Sequence, residues 1–276
     1  MNQTILLPTD FSICADNALN YTIELAQKIS CKKIILLHCY EFSYAVLAQP
    51  MIQTSEQTLV SEYLHELELR KSKLESQLSI EVEILLENDK LEKTITQLET
   101  IHNFSFIVVG ITGKNSIEHK LIGSHSYAIM KKAKSNICMI PEKSTTNIPT
   151  GSITVALDFA SFSTEEIPQL KTLLEKLLIK ECRIIYVGKL EDDDKLNIIK
   201  TSLSSNNNIA FDYISIEKNE NSISPSIIND LKQYPAQALV LMEKHYSLLD
   251  SIFHKSVIKV VTFHTSIPIY VLEGKK

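Results

Sequence analysis

Apolar positions along the chain switch repeatedly between two periods. Ile5-Leu6-Leu7-Pro8 is a short continuous run that stops at the polar pair Thr9-Asp10, and it reads as a buried strand. A helix follows, because Ala15, Ala18, Leu19, Thr22, Leu25, Ala26 and Ile29 recur at intervals of three and four, with Ser12 placed as its N-cap. Lys33 to Cys39 reads as a second buried strand, and residues 43–53 show no clear period. Leu59, Tyr63, Leu67, Leu74 and Leu78 then mark a long amphipathic helix, whose charged remainder over Glu56–Gln77 is most simply a solvated face. Val82, Ile84 and Leu86 alternate as a third strand. Leu91, Ile95 and Leu98 mark another helix, with Asn88 or Asp89 as its cap. Phe104–Gly110 is a nearly all-apolar fourth strand. A helix is expected over Ser124–Lys134 and a fifth strand over Ile137–Ile140. Continuously apolar strands alternating with helices predict a parallel sheet covered on both faces, and right-handed crossovers make it doubly wound α/β.

The polar stretch Pro141–Ser152, punctuated by Pro149 and Gly151, reads as a linker, and after it the pattern restarts. Ser152–Ser163 echoes Gln3–Ser12, with Asp158-Phe159 over Asp10-Phe11; Cys182–Gly188, Gln237–Met242 and Ser266–Leu272 echo the second, fourth and fifth strands. The expected organisation is a duplicated domain: residues 1–141, a linker over 142–152, and 153–276.

Composition narrows the function. With 28 Lys+Arg against 33 Asp+Glu the net charge is −5, which argues against a dedicated nucleic-acid binder; no apolar run approaches the length of a membrane span, and no secretion signal is read at the start. Cys14, Cys31, Cys39, Cys138 and Cys182 show no C-x-x-C spacing and read as small buried hydrophobes in a reducing cytosol, so the chain is placed in the cytoplasm. There is no Walker A sequence, no G-x-S-x-G elbow and no G-x-G-x-x-G after the first strand.

Two features remain that can carry chemistry. Three of the six glycines fall between residues 110 and 123, after a strand and before a helix. There, backbone N–H groups and a helix N-terminus can cradle phosphates, with Gly110 and Gly113 letting the main chain approach, Gly123 opening the helix and Ser124 and Ser126 adding hydroxyls. Turn glycines with a capping serine are the plainer alternative. The second feature is Pro8-Thr9-Asp10 at the carboxyl end of the first strand, facing the crevice between first and fourth strands where such sheets bind ligands. The Asp10 carboxylate can hold a ribose hydroxyl or a Mg²⁺ ion, or else merely close an Asx turn.

Pro8-Thr9-Asp10-Phe11-Ser12, His38-Cys39 and Gly110-x2-Gly113-x9-Gly123-Ser124 resemble the universal stress protein family, whose nucleotide-binding members carry G-x2-G-x9-G-[S/T]. The resemblance covers the first half and, more weakly, the second, as in tandem members. It implies two adenine-nucleotide alpha-hydrolase-like sheets, each five-stranded with order 3-2-1-4-5, packed on each other as an intramolecular pseudo-dimer through their fifth strands, with a homodimer as a further possibility. It also implies ATP, with or without Mg²⁺: Pro8, Thr9 and Asp10 against adenosine and metal, the Cys39 backbone against adenine, and Gly110, Gly113, Gly123, Ser124, His125 and Ser126 along ribose and phosphates. In the second half Met242, His245 and Lys255 stand in the glycine positions and Ser256 in that of Ser124. Side chains there are expected to crowd the phosphate crevice, so one ATP is expected, in residues 1–141. Three functions compete: a stress-response regulator or sensor that binds ATP and acts through an unknown protein partner, a slow ATPase, and a nucleotide-free interaction scaffold.

Overall fold

The computed structural model describes residues 3–42, 50–111, 129, 132–142, 144, 148–158, 164–187, 193–204, 208–216, 223–243, 260–261 and 264–273. The first half runs β1 (Thr4–Pro8), α1 (Ile13–Lys28), β2 (Lys33–Cys39), α2 (Pro50–Gln77), β3 (Glu81–Glu87), α3 (Leu91–Ile101), β4 (Phe104–Ile111) and β5 (Ile137–Pro141). The second runs β6 (Ser152–Asp158), α4 (Ile167–Lys176), β7 (Glu181–Val187), α5 (Asp193–Ser204), β8 (Ala210–Ile216), α6 (Ile223–Gln233), β9 (Ala238–Glu243) and β10 (Ile269–Glu273).

Strand order is β3-β2-β1-β4-β5-β10-β9-β6-β7-β8. Each half therefore has the order 3-2-1-4-5, with parallel pairing throughout. The two five-stranded sheets do not stand apart. β5 and β10 pair antiparallel, Tyr270 opposite Cys138, and fuse them into one ten-stranded sheet among the described residues. The antiparallel seam follows from symmetry, since two copies of one edge strand meet back to back.

Alternate residues of each strand enter two cores. Ile5, Leu7, Ile34, Leu36, Val108, Val155 and Val240 pack under α1, α2, α4 and α5; Leu6, Ile35, Leu37, Val109, Leu239 and Leu241 pack under α3 and α6. Burial on both faces is why the inner strands read as unbroken apolar runs. β8, an edge strand, is half-exposed, and Asp212 and Ser215 interrupt its pattern, so its sequence carries no such run. Beneath the seam the Tyr21 hydroxyl of α1 lies 2.5 Å from that of Tyr270, and the Tyr270 ring meets Phe106 edge-on at 5.7 Å. The segment joining the halves is packed where described: Ile148 is buried, its N–H donates to Glu24 at 3.1 Å, and the Thr150 and Gly151 N–H groups donate to Gln237 Oε1.

Two local expectations change. α2 starts at Pro50, inside the stretch without a clear period. The cap of α3 is Lys90, with no side-chain hydrogen bond. Asn88 instead accepts the Phe42 N–H at 3.0 Å, and Asp89 accepts the Lys90 N–H and pairs with Lys93.

Candidate functional site

In the order 3-2-1-4-5 the connections leave β1 in one direction and arrive at β4 from the other, which opens a crevice at the carboxyl ends of β1 and β4. Pro8, Thr9, Asp10, Cys39 and Gly110 line a cavity there, with Leu91, Val109 and Ile129. Gly113, Gly123, Ser124, His125 and Ser126 lie outside the described residues, as do His245, Lys255 and Ser256. The three apolar liners escaped the sequence reading because Leu91 and Val109 look like ordinary core residues until the sheet brings them to its switch point.

The turn after β1 is built by its own side chains. Thr9 donates its N–H to Leu37 O at 2.8 Å and accepts the Phe11 N–H on Oγ1 at 3.1 Å. Asp10 Oδ1 accepts the Ser12 N–H at 3.1 Å and the Ser12 hydroxyl at 2.5 Å, and Ser12 Oγ accepts the Ala15 N–H at 3.2 Å as the N-cap of α1. Asp10 thus closes an Asx turn and also lines the crevice. Between them Phe11 has φ 63°, the left-handed region, which costs a bulky side chain on the order of 1–3 kcal/mol.

Gly110 has a packing role as well. No described glycine has positive φ. A Cβ on Gly110 would lie 2.1 Å from the carbonyl oxygen of Cys14, so the residue is glycine because the first turn of α1 crosses the end of β4 in contact with it. Its backbone borders the crevice while its side-chain position belongs to the helix. Met242, in the corresponding place on β9, points the same way: its side chain is buried, 3% exposed, in the core under α4 and α5.

His38 and Cys39 face opposite sides of the sheet. Burial pushes the Cys39 thiol up to about 11, so at neutral pH it offers the crevice an uncharged edge. His38 is turned to the α1–α2 side, with Nδ1 2.8 Å from Thr9 O and its ring 4.3 Å from Phe11 and 4.6 Å from Tyr63. Burial, with the Arg70 charge a smaller influence, lowers its pKa; the Thr9 carbonyl and Asp10 oppose the shift.

The crevice thus has apolar walls from Leu91, Val109 and Ile129, edges at Cys39 and Gly110, and one carboxylate, Asp10. A lone Asp10 suits Mg²⁺ only in company with phosphate oxygens, since that ion takes one or two carboxylates and leaves its other positions to substrate and water. Among the described residues no group of three or more His, Cys, Asp or Glu is placed to hold a metal ion, and no helix is long and apolar enough to cross a membrane.

The family model described as the universal stress protein family matches residues 1–141. The chain belongs to that family. The tandem arrangement has solved counterparts: a universal stress protein from Archaeoglobus fulgidus is similar over 99% of both chains at 18% identity, with a TM-score of 0.71. A functionally unknown protein from Pseudomonas aeruginosa PAO1 is similar over 98% of this chain and 92% of its own, at 13% identity and TM-score 0.58. The cytoplasmic domain of a prokaryotic cation chloride cotransporter is similar over 98% of this chain and 95% of its own, at 9% identity and TM-score 0.56. At such identities the likeness is one of fold. No curated protein matches the chain.

Proposed function

We propose that this universal stress protein binds one ATP, in the crevice of residues 1–141, and acts in the cytoplasm as a stress-response regulator or sensor through a protein partner. The observation that carries this reading is the convergence of Pro8, Thr9, Asp10, Cys39 and Gly110 at the sheet's switch point, with apolar residues between them. In the proposed complex Leu91, Val109 and Ile129 cover the base, the Cys39 backbone meets its edge, and Asp10 holds a ribose hydroxyl or the metal of Mg-ATP. Gly113, Gly123, Ser124, His125 and Ser126 supply the phosphate contacts. The bound nucleotide selects one state of that loop through its differential contacts, and the partner reads the state.

The second half, residues 153–276, is proposed to serve as a packing and partner surface, since it lacks the glycines of a phosphate loop. Isothermal titration of the intact chain with Mg-ATP tests the proposal. One site is expected, weakened by about 1–3 kcal/mol in Asp10→Ala as a charged hydrogen bond is lost. Absence of binding, two equivalent sites, or an Asp10→Ala variant with unchanged affinity would each contradict it.

A further inference from the structure

We infer that Arg70, on the long helix α2, is a positioning residue for the Asp10 turn: it holds Phe11 in its left-handed conformation and thereby aims Asp10 into the crevice. The inference rests on the nucleotide reading of that crevice.

Phe11 is the joint of the turn. The residue before it lines the cavity and the residue after it caps α1. A phenylalanine at φ 63° persists only where its surroundings over-determine it. Its N–H is satisfied locally by Thr9, but its carbonyl and ring are held from α2. Arg70 Nη2 donates to Phe11 O at 3.4 Å, and the guanidinium lies 4.9 Å from the centre of the Phe11 ring. The opposing aromatic groups are His38 and Tyr63, the latter stacked at 6.0 Å. Arg70 is itself fixed, with a side chain only 12% exposed: Nε donates to Asp16 Oδ1 at 2.9 Å in the first turn of α1, and Nη1 to Glu66 Oε2 at 2.5 Å one turn back on its own helix. A single planar, forked group thus grips the turn's carbonyl, the turn's ring and the helix that the turn starts. A flexible ammonium cannot do all three at once.

The alternative is that Arg70 is only a surface brace between α1 and α2. A double-mutant cycle separates the two. Mg-ATP affinity is measured by titration for the intact chain, Arg70→Met, Asp10→Ala and the double variant. If Arg70 acts through Asp10, Arg70→Met loses about tenfold in affinity, within the range of couplings between contacting networks. The same change then costs nothing further when Asp10 is already alanine. Arg70→Lys keeps the charge and is expected to recover only part of the loss.

The backbone NMR signals of Phe11, read without nucleotide, form a second arm: they are expected to leave their left-handed values in Arg70→Met and to shift less in Arg70→Lys. A tenfold loss that persists in the Asp10→Ala background overturns the inference, as does an unmoved Phe11 signal. Should Arg70→Met fail to fold, wild-type affinity and wild-type Phe11 signals in Arg70→Lys overturn it. An intact chain that binds no ATP overturns the nucleotide reading instead, and the NMR arm then decides Arg70's hold on the turn by itself.

Discussion

His38 shows how much one buried side chain can commit. Its Nδ1 faces the Thr9 carbonyl, which can only accept, so in the neutral ring Nδ1 carries the proton. Nε2 is then a lone pair buried without a partner among the described residues. Charging this ring would place a cation beside Arg70 and under Phe11 and Tyr63, and burial lowers its pKa below the ordinary 6.5. The unfolded chain therefore binds the proton more readily than the folded one. The stabilisation is fully present above pH 6.5 and is lost as the pH falls from there towards the folded-state value. Urea midpoints between pH 8 and pH 5 should fall more steeply for the intact chain than for His38→Phe. Parallel curves would show that His38 titrates no differently in the folded state.

Among elements, the contact between α1 and β4 is the most exacting. A methyl group on Gly110 meets the Cys14 carbonyl at 2.1 Å, and neither backbone can yield without moving its helix or strand. Gly110→Ala is expected to destabilise the protein by about 1–3 kcal/mol, the ordinary cost of overpacking a core, and thermal denaturation without nucleotide would reveal it. A variant as stable as the parent would show that α1 does not sit this close. Substitution at Gly110 therefore reports on helix packing as well as on the crevice, whereas Asp10→Ala changes an exposed side chain.

For the whole molecule, the decisive feature is the antiparallel seam of β5 and β10, which makes one sheet of two. Tyr21 and Tyr270 share a hydrogen bond across it, and burial raises both phenols well above 10. Tyr270→Phe leaves the Tyr21 hydroxyl buried and unmatched, at a cost of about 1–3 kcal/mol, while replacing both by phenylalanine should be closer to neutral. Denaturant midpoints of Tyr21→Phe, Tyr270→Phe and the double variant check this, and a double variant weaker than the worse single one would mean that the hydroxyl pair is not what the seam needs. The Cys138 thiol beside Tyr270 is likewise pushed up by burial and stays uncharged at this junction.

The strands of the first half, the restart after residue 151 and the family could be read from sequence alone, because each rests on local period or on short motifs: a strand buried on both faces must be apolar throughout, and Pro8-Thr9-Asp10 or the glycine spacing is contiguous in the chain. Edge strand β8 was not legible, since half-exposure breaks the run. Nor was the start of α2, nor the cap of α3, where two side chains competent to cap are drawn to other partners. Above all, sequence could not say which way a residue points across the sheet. Adjacent residues His38 and Cys39 part to opposite faces, Gly110 serves a helix as much as a crevice, and Met242 turns into the core. Arg70 looked like one more charge on a solvated helix, fifty-nine residues from the turn it grips. Such roles depend on contacts between distant parts of the chain, and these exist only once the sheet has brought α2, β1 and β2 together.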